Sequence, residues 1–177
     1  RVLFGGPGMP LMNAHQLGND WDYVVVGEGE EALLHLLHAP DEPRVGVVPA
    51  GAPDIDRLLG ERHVAPDLNQ LPLLSFEGFD LNLYRHIERV PAYTSRGCTR
   101  RCTYCFDTEF YAPYRTLAAE RAVEHLVGIW ERHGRANFDL TDLLINGRLK
   151  VMRPLMRGLV DSGIPLTWGA FATIRAD

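Results

Sequence analysis

The sequence predicts an α/β fold, on three observations. Short β-branched runs alternate with stretches of helical spacing over residues 1–39 and again over 91–177. Glycines stand at the ends of these runs, where strands give way to helices. Between the two regions, residues 40–90 are dense in Pro, Gly and Asp and read as a connector of turns and short strands lying on a surface.

Taken in order, "RVLFGG" reads as a short buried strand closed by Gly5 and Gly6, and "MPLMNAHQL" as a short helix. "WDYVVVGEGE" is a strand running into a glycine turn. In "EEALLHLLHA", Ala32, Leu33, Leu36 and Leu37 fall on one helical face. These elements make a β-α-β-α unit of the kind that carries a parallel sheet. After the connector, "PAYTSRGC" is a strand entering a cysteine-bearing loop. The run from Thr116 to Gly134 is a helix, with Thr116 as cap, Ala119, Val123, Leu126, Val127 and Trp130 as apolar stripe, and Gly134 as stop. "NFDLTDLLI" is a strand, "RLKVMRPLMRGLVDSG" a helix with Pro154 in an early turn and Gly163 past its end, and "PLTWGAFATI" a third strand. The order β-loop-α-β-α-β has crossovers of barrel or doubly wound type.

Composition narrows the function classes. The 177 residues are 46% hydrophobic and 23% charged, ordinary for a globular chain that buries a core. A net charge of -5 argues against nucleic acid or an anionic membrane as main partner, since both reward a basic surface. No apolar run approaches the roughly 20 residues that span a bilayer. The start lacks both a signal-peptide pattern and a Met, and reads like the inside of a strand, so a fragment is expected. Neither a P-loop nor a supported Ser-His-Asp set is present.

All three cysteines, Cys98, Cys102 and Cys105, lie in "GCTRRCTYC". An odd, tightly clustered set does not suit a secreted disulfide framework and favours a reducing cytoplasm. Three thiolates on one loop can converge on one soft metal centre. A closed zinc site wants a fourth ligand, for which His86 or His125 is a candidate. A [4Fe-4S] cluster held by three thiolates keeps one iron open to a small chelating molecule. Arg96, Arg100 and Arg101 flank the loop, either offsetting its negative charge or standing as solvated surface charges.

The Cys-x3-Cys-x2-Cys spacing, with the aromatic Tyr104 before the third cysteine and a strand before the loop, resembles the radical S-adenosylmethionine (SAM) superfamily. The resemblance implies a [4Fe-4S] cluster on the three cysteines, SAM on its open iron beside Tyr104, and reductive cleavage of SAM to a 5'-deoxyadenosyl radical. It also implies an electron donor such as flavodoxin or ferredoxin. Upstream, "VLFGGPG" followed by "DYVVVGEGEEALLHLL", and the connector ending "FEGFDLNLY", resemble the subgroup with a cobalamin-binding domain ahead of the barrel. That implies Gly5, Gly6, Gly27 and Glu28 beside cobalamin, with glycine permitting close backbone approach. "NAHQLG" resembles an Asp-x-His-x-x-Gly loop carrying an axial histidine, but it follows the paired glycines instead of preceding them, and His15 reads as a helix-surface residue.

The remaining polar residues are weighed against that frame. Asp139 and Asp142 are three apart on a strand, so they point to opposite faces and cannot act as a pair. Asp142 and Asn146, near a strand's C-terminal end, are candidate SAM contacts, with a structural hydrogen-bonding carboxylate as the other reading of Asp142. "INGR" stands where many superfamily members have a Gly-Gly-Glu run on the SAM amine. Arg175 is a candidate for the SAM carboxylate, or a partner of Asp177. Trp168 and Phe171 read as core packing, and His35 and His38 as surface.

The reading is therefore the C-terminal part of a Rossmann-like cobalamin-binding domain (1–39), a connector (40–90), and the first half of a partial (β/α)6 radical SAM barrel (91–177). The expected activity is cobalamin-dependent methyl transfer or another radical modification of a peptide or small molecule. The alternatives are ring formation or rearrangement without methyl transfer, and a non-catalytic zinc module. Methylthiotransferases carry a further upstream cysteine set that is not found here. The piece alone is expected to be inactive.

Overall fold

The computed structural model describes residues 2–6, 20–40, 42, 44–65, 67–84 and 89–174. The expected helix at 9–17 lies outside them. Two compact units emerge, residues 1–66 and 67–177. Among the described residues no helix is long and apolar enough to cross a membrane.

The first unit is built on a three-stranded sheet in the order β1 (Leu3–Gly5), β2 (Tyr23–Val25), β3 (Val47–Pro49). β1 runs parallel to β2, and β3 antiparallel to it. Trp21, Val24, Val26, Val48 and Leu59 form the core on one side of the sheet. Val25, Val47 and Ala32 form it on the other, Ala32 coming from α1 (Glu30–His38). A short helix, α2 (Ile55–Leu58), packs Ile55 and Leu58 against the first cluster. The segment read as connector thus supplies β3 and α2 to this unit.

Two expectations are corrected here. β1 is not buried: it is an edge strand with Val2, Leu3 and Phe4 exposed. The face of α1 is narrower than its spacing implied. Only Ala32 is buried and Leu36 packs beside it, while Leu33 and Leu37 face solvent. With only β2 and β3 beneath it, α1 has little sheet to cover.

The second unit begins with 3-10 turns at Leu68–Gln70 and Leu81–Leu83. Each is opened by an aspartate, Asp67 or Asp80, whose side chain accepts the N–H two residues on, a local bond that favours a turn over a helix. The frame is a parallel sheet in the order β4 (Val90–Ala92), β7 (Asn137–Leu140), β8 (Thr167–Ala170). Between β4 and β7 come a two-stranded hairpin, β5 (Ser95–Arg96) with β6 (Arg115–Thr116), a short helix α3 (Asp107–Phe110), and α4 (Ala119–His133). The crossover from β7 to β8 is α5 (Leu149–Asp161). This mixed α/β architecture with parallel strands agrees with the predicted class.

Gly134 ends α4 in the left-handed conformation, as expected, with φ 64°. Thr116 does not cap α4. It pairs with Ser95 in the hairpin, and the cap position is Ala118, which makes no side-chain bond. The buried face of α4 is Ala122, His125, Leu126 and Ile129, at helical spacing but rotated from the predicted stripe. His125 counted as polar in the sequence, yet its ring is fully buried against Tyr93. Val123 turns toward α5, where a Cβ on Gly158 would sit 2.7 Å from it, so that glycine lets the two helices approach closely. Trp168 and Phe171 do not pack in a core. They stand on the edge strand β8 and just beyond it, 38% and 74% exposed.

Candidate metal centre

The cysteine loop hangs from the β5–β6 hairpin, and its base is tightly packed. Ser95 and Arg96 pair with Thr116 and Arg115. Gly97 follows with φ 81°, and a Cβ there would lie 2.5 Å from the Tyr111 carbonyl and 2.9 Å from that of Pro113. Those two carbonyls are held by Arg115, whose Nε donates to Pro113 O at 2.9 Å and whose NH2 donates to Tyr111 O at 3.2 Å. Carbonyl bonds of this kind help stabilise a buried guanidinium. The two arms of the loop are thereby pressed together just before Cys98.

Beyond that base the loop opens to solvent. Cys98 and Cys105 are half-buried, Cys102 is exposed, and none is in a disulfide. The Arg100 N–H donates to Cys98 Sγ at 3.4 Å, and the Cys105 N–H donates to Cys102 O at 3.1 Å, which makes a tight turn between the second and third cysteines. Tyr104 is 89% exposed on that turn. A hydrogen bond with Cys102 and the negative charge of its thiolate raise the phenol above its ordinary value. The donor chemistry fits a soft cluster: three thiols, one short span, accessible to solvent. Among the described residues, no group of three Cys, His, Asp or Glu is placed to hold a metal ion. His125, a candidate fourth zinc ligand, is buried on α4 with its ring 5.7 Å from that of Tyr93. His86 lies outside the described residues.

Asp142 is fully buried below the hairpin. Its oxygens accept the Thr94 N–H at 3.0 and 3.2 Å, the Thr94 hydroxyl at 2.8 Å, and the Ser95 hydroxyl. Burial pushes the carboxyl above its ordinary value, against the pull of these donors. The exposed Asp139 lies on β7 and has no part in this cluster. Asn146 grips Thr173, donating to its carbonyl at 2.7 Å and accepting its N–H at 3.1 Å. Tyr114 donates to Leu144 O at 3.2 Å, and Arg148 lies over its ring at 5.7 Å. Burial raises the Tyr114 phenol, and the Asp142 charge adds to that. Of the flanking arginines, Arg96 lies over the Tyr93 ring at 4.8 Å and Arg100 donates to Thr173 Oγ1 at 3.3 Å, while Arg101 is exposed. Arg175 and His15 lie outside the described residues.

In the first unit, Gly5 and Gly6 end the exposed strand β1, and Gly6 has φ 122° with open space around it. Gly27 is engaged internally: its φ is 98°, and a Cβ would overlap the His63 backbone, to which this turn is bonded. The Glu28 carboxylate is buried and accepts the Ala65 N–H at 2.8 Å.

Sequence reasoning missed Gly97, Thr94, Tyr114 and Arg115; of these only Gly97 carried a usable signal, a glycine directly before Cys98.

No family model matches the chain. It is similar to an anaerobic magnesium-protoporphyrin IX monomethyl ester cyclase of Synechocystis sp., 28% identical over 99% of the chain and 36% of that protein. It is similar to the cyclase of the same name from Rubrivivax gelatinosus, 24% identical over 84% of the chain and 29% of that protein. It also matches a cytidylyl-2-hydroxyethylphosphonate methyltransferase of Streptomyces wedmorensis, 22% identical over 71% of the chain and 26% of that protein. The chain thus spans only about a quarter to a third of the length of the curated relatives it matches. These low-identity similarities support the radical SAM superfamily, as the spacing of Cys98, Cys102 and Cys105 does.

Proposed function

We propose that this chain carries the cluster-binding region of a radical SAM enzyme. The observation that carries the reading is the set of three thiols on one accessible loop, at superfamily spacing, beside the first strand of a parallel sheet. Cys98, Cys102 and Cys105 would hold a [4Fe-4S] cluster. With SAM bound, that cluster would supply the electron that cleaves SAM to methionine and a 5'-deoxyadenosyl radical, which abstracts hydrogen from substrate. The chain's own residues hold the frame. Gly97 and Arg115 fix the feet of the loop, and Tyr104 stands between the second and third thiols, on SAM's side of the loop in this reading. Arg175 remains the candidate for the SAM carboxylate.

The finer reading has two branches. Methyl transfer is supported by the name of the Streptomyces relative, and its dependence on cobalamin rests on the β1∥β2 pair with the open Gly5–Gly6 turn at the end of β1, as expected of a Rossmann-like cobalamin-binding unit ahead of a partial (β/α)6 barrel. Gly27 and Glu28 are spent on the 63–65 segment, so they shape such a unit from within. Cyclisation without methyl transfer is favoured by the relatives named cyclases, one of which aligns over 99% of the chain. In both, the substrate is a small molecule or peptide, the electron donor a flavodoxin or ferredoxin, and the compartment the cytoplasm.

The test is iron, acid-labile sulfide and zinc per chain after anaerobic reconstitution, in wild type and Cys102→Ala. About four irons and four sulfides, lost in the variant, are expected. One zinc and no sulfide would sink the reading.

A further inference from the structure

Two side chains on the loop after β7 take up bonds that the sheet itself leaves unmade. β7 is the central strand, between β4 and β8. The ladder to β4 runs one step past it: the Thr141 N–H donates to Ala92 O at 2.8 Å. Then the chain at Thr94 swings away into the hairpin, and its N–H has no strand opposite. A buried amide without an acceptor is costly. The Asp142 carboxylate fills that place, accepting both the amide and the hydroxyl of Thr94 and the hydroxyl of Ser95. On the other side, the Ile145 N–H donates to Phe171 O at 3.0 Å, and the Asn146 amide closes on both backbone groups of Thr173. Thr173 in turn accepts from Arg100, two residues after Cys98.

We infer that Asp142 and Asn146 are positioning residues: side-chain caps on the ends of the two flanking strands, through which the loop after the central strand fixes the cysteine loop, and not groups that touch SAM. Asp142 has no exposed surface to offer an ammonium ion. Asn146 commits one donor and one acceptor of its amide to a single residue. Gly147, next in line, lies under Tyr114, where a Cβ would fall 2.8 Å from the ring. "INGR" is therefore a clasp, and the SAM amine must find its partner elsewhere. The identity of what the loop carries rests on the radical SAM reading, whereas the caps can be tested without it.

The experiment uses the full chain with Asn146→Ala, the near-isosteric Asp142→Asn, and Asp139→Asn as exposed control. Hydrogen exchange over 93–106 and the rate of Cys98 and Cys105 alkylation by iodoacetamide are read first, without metal. SAM cleavage is read second, as KM against kcat, in the reconstituted full-length protein carrying the same substitutions, since this chain alone is expected to be inactive. Each cap variant is expected to speed exchange and alkylation about tenfold, the factor that one lost buried hydrogen bond produces. The control stays at wild-type rates, and KM for SAM is unmoved while kcat falls. A KM raised tenfold with unchanged exchange would overturn the inference and make Asn146 or Asp142 a ligand contact. Unchanged exchange and unchanged KM would overturn it equally. If Asp142→Asn does not fold, Asn146→Ala decides, since Asn146 and the Thr173 it grips are both partly exposed. Failure of the radical SAM reading would show separately, as wild-type protein that takes up no iron and sulfide, and would leave the exchange result standing.

Discussion

Replacing Gly97 by alanine should damage the protein more than the backbone angle alone requires. An L-residue at φ 81° costs about 1–2 kcal/mol in the left-handed region. The added Cβ would also lie 2.5 and 2.9 Å from two carbonyl oxygens, closer than real Cβ contacts come. These carbonyls cannot easily retreat, because Arg115 holds both. Relieving such an overlap by backbone shifts costs about 1–3 kcal/mol more. The total is about 2–5 kcal/mol, a sizeable part of the stability of an ordinary domain. Gly134 is the internal control. Its φ is 64°, and nothing lies within 4 Å of its missing Cβ. Gly134→Ala should therefore cost only about 1–2 kcal/mol. Urea unfolding of both variants measures the difference, and iron retained after gel filtration reports on the loop. Gly97→Ala is expected to be worse by about 1–3 kcal/mol and to lose most of its iron, while Gly134→Ala keeps it. Equal costs would show that the two loop arms are free to part, and the packed-base argument would fail.

Glu28→Ala strands the buried Ala65 amide and should cost about 1–3 kcal/mol, with Glu28→Gln recovering most of it; unchanged exchange at the Ala65 amide in Glu28→Ala would refute the bond. His125 should make the fold acid-sensitive. Burial holds its pKa below the ordinary 6.5, so on acidification the unfolded chain takes up a proton that the native state resists. Stability is thus fully present above about pH 7 and falls below pH 6.5 toward the lowered value, by at most about 1.4 kcal/mol per pH unit. His125→Phe should flatten urea midpoints between pH 7.5 and 5.5, and an unchanged slope would remove His125 as the cause.

Legibility in the sequence followed the range of the interactions. Gly134 as a helix stop, the parallel strands joined by helices, and the cysteine loop were readable because each depends on local conformation or spacing. The predicted stripe on α4 was misplaced because it was scored by side-chain polarity. His125 is buried, and Val123 faces α5 through the gap at Gly158. Leu33, Leu37, Trp168 and Phe171 look like core residues by composition, but burial depends on how much sheet lies opposite, which no local window contains. The bonds between Asp142 and the Thr94–Ser95 pair join residues 47 and 48 apart. The strand expected to run through Asp142 ends at Leu140, so Asp139 stands exposed on β7 while Asp142 lies on the loop beyond it, and spacing could not tell a ligand contact from a strand cap.

The frame of the loop and the thiols differ in what holds them, and this separates a cluster site from a structural knuckle. Ser95, Arg115 and Asp142 are 3%, 8% and 0% exposed, and their bonds go to protein groups. The sheet beneath rests on buried Val90, Phe138 and Leu140, and the helices on Leu126, Ile129, Leu155 and Leu159. None of this apolar burial needs a metal. In a structural zinc knuckle the metal supplies about 10–16 kcal/mol that is itself folding energy, and chelation unfolds the chain. Metal-free protein should here keep its helical circular dichroism and its cooperative unfolding, while exchange rises only across residues 98–105. If chelation abolishes the helical signal, the thiols are holding the fold together, and a catalytic cluster is the wrong account of this loop.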